Sequence, residues 1–270
     1  MKKTTIASAL LISTFILGAA SPAFADQVAA PTTDATVKFK SEPQDADNDG
    51  NTIDPLDPDG NGVKPETGEG SVGTKGPLRV DFAPNFKFGT VTMSGNAAEY
   101  HPLYMKVNLL DETGKVAEPL QSKYVPHYVQ VTDNRGTNDG WELTVAATPF
   151  KGTVVDKNAD LKATLTLGHS QFTSPVKPVD GKDFKPATLN TNVTLTPEAK
   201  PLIVAKADQG MGSWAAVFSK DTTATLTDTD RNPNVTLSVP ADSKKDANEE
   251  YKSTITWTLS TTPTTPPTGN

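Results

Sequence analysis

The residues best placed for chemistry in this chain are carboxylates. Asp45-Ala-Asp47-Asn-Asp49-Gly50 has the D-x-D-x-D-G spacing of a calcium loop, in which alternating carboxylates wrap one ion and the glycine permits a sharp turn. The twelfth position, where an EF-hand sets a bidentate Glu, is Leu56, and no helical pattern flanks the segment. Asp57-Pro-Asp59-Gly60-Asn61-Gly62 repeats the same gaps. Asp45, Asp47 and Asp49 thus form a calcium candidate, set against a solvated acidic stretch that takes up cations nonspecifically. The three histidines, His101, His127 and His169, show no H-x-H or H-x-x-x-H spacing and read as surface or strand-end residues. The absence of cysteine removes disulfides, thiolate metal sites and thiol nucleophiles. No serine sits in G-x-S-x-G or S-x-x-K. Acidic residues beyond position 77 fall mostly at turns, as in Thr132-Asp133-Asn134 and Asp228-Thr229-Asp230, where Asp is favoured for turn chemistry alone. The chain is therefore expected to be neither an enzyme nor the holder of a cofactor.

A more specific feature is a tripeptide that occurs twice, Trp141-Glu142-Leu143 and Trp257-Thr258-Leu259. In a strand, one intervening residue puts indole and leucine on the same face, roughly 6.7 Å apart. Trp141, Leu143, Trp257 and Leu259 could then be core anchors, or an exposed aromatic platform that stacks on sugar rings or packs against a partner protein. Tyr251, Ile255 and Leu259 share a face with Trp257, which favours burial of at least one of the two indoles.

The elements around these tripeptides read as β-strands. From Pro77 onward, short period-two runs alternate with Gly, Pro, Asn and Asp turns. The clearest are Trp141 to Ala147, Leu161 to Leu167, Met105 to Leu109, Val235 to Val239 and Tyr251 to Leu259, with threonine usually outward. No helical pattern competes. The spacing predicts an all-β fold, an antiparallel β-sandwich of Ig-like or Greek-key type. Pro175 to Pro186 and Thr227 to Asn234 read as ordered surface loops.

The first 25 residues have two lysines, an apolar run and Ala23-Phe24-Ala25, the pattern of a secretory signal peptide cleaved before Asp26. No second apolar run long enough to span a bilayer follows, so the mature chain is not expected to span a membrane. No LPxTG-type sorting signal is present, so surface retention would be noncovalent. Residues 41–76 hold nine acidic residues, two lysines, seven glycines and four prolines. That composition predicts a disordered, self-repelling linker within an Asp/Gly/Pro-rich segment over 26–76. The segment 41–76 alone accounts for a charge equal to the whole chain's −7. An acidic balance of this kind excludes nucleic acid as a partner. The expected organisation is a leader over 1–25, the linker, a β domain over 77–263 and a flexible tail over 264–270.

Three stretches taken together resemble the WxL-domain family of cell-wall-binding surface proteins of low-GC Gram-positive bacteria. They are Gly76-Pro-Leu-Arg-Val-Asp-Phe-Ala-Pro-Asn-Phe-Lys-Phe-Gly89, Asp139-Gly-Trp-Glu-Leu-Thr-Val145, and Tyr251 to Pro263 with its Trp257-Thr258-Leu259. The acidic spacer is also typical of that family. The resemblance implies noncovalent attachment to the wall, with peptidoglycan or another wall glycan as ligand. It also implies association with other WxL-cluster surface proteins, among them membrane-anchored WxL-interacting partners. It does not decide whether the tripeptides touch ligand or fill the core.

Overall fold

A computed structural model describes residues 35–154, 160–220, 225–261 and 263. The expected leader over 1–25 and tail over 264–270 lie outside the described residues. The chain divides into two compact units, Met1–Phe39 and Lys40–Asn270. Of the first, residues 35–39 are described and have no regular secondary structure.

The second unit holds all the described strands: β1 (Val63–Pro65), β2 (Gly70–Val72), β3 (Leu78–Pro84), β4 (Ala98–Tyr100), β5 (Met105–Leu109), β6 (Ser122–Val125), β7 (Tyr128–Asp133), β8 (Trp141–Ala147), β9 (Phe150–Gly152) and β10 (Asp160–Leu161). Then follow β11 (Thr164–Gly168), β12 (Ser170–Thr173), β13 (Thr188–Leu189), β14 (Asn192–Thr194), β15 (Lys200–Ala205), β16 (Gly212–Phe218), β17 (Val235–Val239), β18 (Tyr251–Lys252) and β19 (Ile255–Ser260). Among the described residues every strand pairing is antiparallel and there is no helix. The all-β expectation is met.

The largest sheet, β12-β16-β7-β3-β2, is covered on both faces. Val129, Val131, Trp214, Ala216 and Phe218 pack on one side, against Trp141, Leu143 and Val145 of the β13-β15-β8-β19 sheet and Leu165, Leu167 and Val235 of the β14-β11-β17-β4 sheet. Their neighbours Tyr128, Ala215 and Val217 pack on the other side, against Val63, Met105, Val107 and Val125 of the β1-β5-β6 sheet. The sandwich thus has a third layer, and β7 is buried along its whole length. On β3 the register slips between Val80 and Phe82, so Val80 joins the first core and Phe82 the second. Asp81 occupies that bulge, a common device for re-aiming side chains.

The segment 41–76 corrects the sequence reading. It contains β1 and β2, its Val63 is fully buried, and Thr52 and Asp54 are buried as well. Six of its nine acidic residues form ion pairs: Glu42 with Arg79, Asp47 with Lys75, Asp54 with Lys123, Asp59 with Lys177, Glu66 with Lys106 and Glu69 with Lys87. Five of those cations come from outside the segment, so the charges meet partners instead of repelling one another. The ordered β unit begins at Lys40, not at Pro77.

Candidate functional site

The two Trp-x-Leu tripeptides lie on neighbouring strands of one sheet. β19 pairs with β8 so that Trp257 faces Val145, and Leu259 faces Leu143. Alternation then points the tripeptides' large side chains into the same core.

Trp141 is fully buried. Its indole Nε1–H donates to the Gly210 carbonyl at 3.0 Å, which satisfies the ring's polar atom. Gly210 has φ +75, and a Cβ there would lie 2.5 Å from that nitrogen, so the contact requires glycine. Gly140, just before Trp141, is also left-handed, and a Cβ there would lie 2.2 Å from the Ala205 carbonyl oxygen. Arg135 forms a bidentate ion pair with Asp133 and donates to the carbonyls of Gly140, at 2.7 Å, and Thr261, at 3.3 Å. The hydrogen bonds that Arg135 donates to Asp133 hold the guanidinium pKa above its ordinary value, outweighing the cost of burial. One arginine therefore ties the turn entering the first tripeptide to the chain leaving the second.

Trp257 and Leu259 are half-buried, while Thr254, Thr256 and Thr258 on the opposite face are exposed. The Trp257 ring stacks on Phe218, with centroids 6.5 Å apart and planes 25° apart. Phe218 meets Phe86 at 6.3 Å, and Phe86 meets His127 at 4.9 Å. Phe86 belongs to the first of the three sequence stretches, Trp141 to the second and Trp257 to the third. Three stretches distant in sequence thus converge on one core.

The remaining candidates do not form a reactive centre. His127 is wholly buried; burial, with the nearby Lys87 charge, lowers its pKa to about 3 and keeps the ring neutral. His101 has its Nδ1 2.9 Å from the Val235 carbonyl, and His169 sits at φ +50 between β11 and β12. Asp47 is paired with Lys75, and Asp49 accepts from the Asn51 backbone and side-chain amides. Among the described residues no three His, Cys, Asp or Glu side chains are grouped to hold a metal, so Asp45, Asp47 and Asp49 do not converge as the calcium spacing anticipated. No helix among those residues is long and apolar enough to cross a membrane.

A buried polar network escaped the sequence reading. Asp81 accepts from Arg79 Nε at 2.8 Å, Gln130 Nε2 at 2.9 Å and Thr132 Oγ1 at 2.6 Å, and Arg79 also binds Glu42 at 2.7 Å. Burial raises the Asp81 carboxyl pKa, with the Thr132, Gln130 and Arg79 contacts working against that rise. The one sequence signal was an aspartate flanked by Val80 and Phe82 inside an otherwise apolar run.

Neither the curated proteins nor the solved structures gave a match to this chain. The model of the WxL domain, a surface cell-wall-binding domain, matches residues 26–263, and the chain belongs to that family.

Proposed function

We propose that the chain is an exported, non-catalytic surface protein that attaches noncovalently to the Gram-positive wall through its β unit, with peptidoglycan as the ligand. The observation that carries this reading is the position of the second tripeptide. Trp257 lies half-exposed on β19, the outermost strand of its sheet, with exposed threonine hydroxyls on the strand's other face. A partly accessible indole at a sheet edge can stack on a sugar ring, and the threonine hydroxyls of the opposite face can hydrogen-bond to glycan lying along the outside of the sheet. The test is cosedimentation of the mature protein with purified, protein-free sacculi. Recovery in the pellet is expected; recovery only in the supernatant overturns direct attachment.

A second reading has its own support. Among the described residues β19 pairs with β8 alone, which leaves its other edge as a template for an added strand. On this reading the protein is an interaction subunit of a surface complex, recruited by a membrane-anchored WxL-interacting partner or by other WxL-cluster proteins. Sedimentation that appears only when such a partner is added decides for it.

A further inference from the structure

The segment that was expected to be a linker builds one wall of a cleft. Residues 51–62 face β3, β7 and β16 across a space of about 470 Å³, lined by none of the Trp-x-Leu residues. Its floor is polar yet buried, with Asp81, Gln130 and Thr132 each exposed by 3% or less.

Counting protons shows what this cleft lacks. Thr132 gives its only hydroxyl proton to Asp81, so at 2.6 Å Ser213 donates to Thr132 and keeps its own lone pairs free. Asn51 spends both amide protons, on Asp49 and on the Gly114 carbonyl, each at 2.9 Å. Its Oδ1 is buried and receives no hydrogen bond among the described residues, a costly arrangement unless something donates to it. Arg79 commits Nε and Nη1 to Asp81, Glu42 and the Gly76 carbonyl, and Nη2 makes no bond among the described residues. The Arg79 charge is offset by Asp81 and Glu42, so the cleft does not select an anion. What fits is a neutral molecule rich in hydroxyl and amide N–H donors whose C–H faces can lie on Ile53 and Leu110.

We propose that this cleft is a saccharide subsite in which Asn51 Oδ1 and Ser213 Oγ accept from, and Arg79 Nη2 donates to, one sugar unit of the wall glycan. The subsite rests on the wall-glycan reading above and adds to it a place separate from β19. It also gives a use to Arg79 and Asp81, which lie in the first of the three stretches and have no part in the tripeptides.

The test uses two variants of the full mature chain. Gly114→Asn projects into the cleft from a position with φ +76 where a Cβ meets nothing within 4 Å, and Asn tolerates that conformation. Ser213→Ala removes one acceptor. Chitotetraose, a soluble β-1,4 oligosaccharide of N-acetylglucosamine, is titrated while backbone amide shifts are followed, alongside cosedimentation with sacculi. The expected result is shifts at Asn51 and Ser213, affinity about tenfold weaker in each variant, an unchanged melting temperature for Gly114→Asn and a slightly lowered one for Ser213→Ala, which gives up its hydrogen bond to Thr132. Wild type and variants that sediment equally, with no shifts at the cleft, overturn the subsite and leave wall attachment standing. A wild type that stays in the supernatant overturns wall attachment, and the chitotetraose shifts then judge the cleft by themselves: their presence supports it and their absence overturns it.

Discussion

Leu143 and Leu259, the leucines of the two tripeptides, are direct register partners across β8 and β19. The strands are antiparallel, so the indoles lie at opposite ends: Trp257 faces Val145, four residues and about 13 Å along β8 from Trp141. The strand carrying Trp141 has β15 and β19 on its two sides, whereas among the described residues the strand carrying Trp257 pairs with β8 alone. The same three-residue pattern therefore produces one sealed indole and one half-open indole.

That asymmetry predicts unequal mutational costs. Trp141→Ala empties a fully enclosed site and orphans the Gly210 carbonyl, for about 3–5 kcal/mol. Trp257→Ala surrenders only part of its burial, for about 1–2 kcal/mol, but removes sacculus retention. Urea unfolding of both variants checks this; equal losses would place Trp257 in the sealed core.

Much of this was legible because alternation survives in strands whose one face fills the core and whose other face carries mostly polar or small residues. The runs Met105 to Leu109, Trp141 to Ala147 and Val235 to Val239 coincide with β5, β8 and β17. The run Tyr251 to Leu259 kept its alternation but became β18 and β19, because the chain changes sheets where Thr148 captures Ser253 and Thr254. Segment 41–76 was misread because composition counts charges without seeing their partners. Its carboxylates are neutralised by cations such as Arg79, Lys106 and Lys123, and its few apolar side chains, Val63 fully buried with Ile53 and Leu56 packed beside it, are too scattered to show as a pattern. The Asp81 network was illegible for a related reason: a bulge that flips one strand's faces leaves no periodic signature.

Gly210 tests whether the Trp141 contact is structural. Gly210→Ala puts a Cβ 2.5 Å from the indole nitrogen and 2.6 Å from the Ala205 Cβ at φ +75. A loss of more than about 1 kcal/mol is expected, while Gly95→Ala, which meets nothing within 4 Å, is neutral or slightly stabilising. Comparable melting temperatures for the two variants would contradict the fit described here.

Removing the acidic segment should expose a core instead of freeing a tether. A chain beginning at Pro77 loses β1 and β2 and uncovers Met105, Val107 and Tyr128. It is expected to bind ANS and unfold at lower urea, whereas a flexible linker could be removed without either effect. In the full chain the segment should resist limited proteolysis, and high salt should weaken its half-exposed pairs such as Lys106 with Glu66.

His127 sets the direction of the pH response. Its folded pKa of about 3 lies below the ordinary 6.5, so between those values the unfolded chain binds a proton that the folded chain refuses. Stability is then full above about pH 7 and declines as pH falls through that window, by up to about 1.4 kcal/mol per unit. Asp81 acts in the opposite sense, since its raised pKa lets the folded state hold a proton that the unfolded carboxyl has released. His127→Gln isolates the histidine's share, because a side-chain oxygen can still accept from Asn232, which lies 3.3 Å from the ring nitrogen. Urea midpoints followed from about pH 7.5 to about pH 4 should fall more steeply for the wild type than for the variant. Parallel slopes would show that His127 is not the group whose protonation loosens the fold.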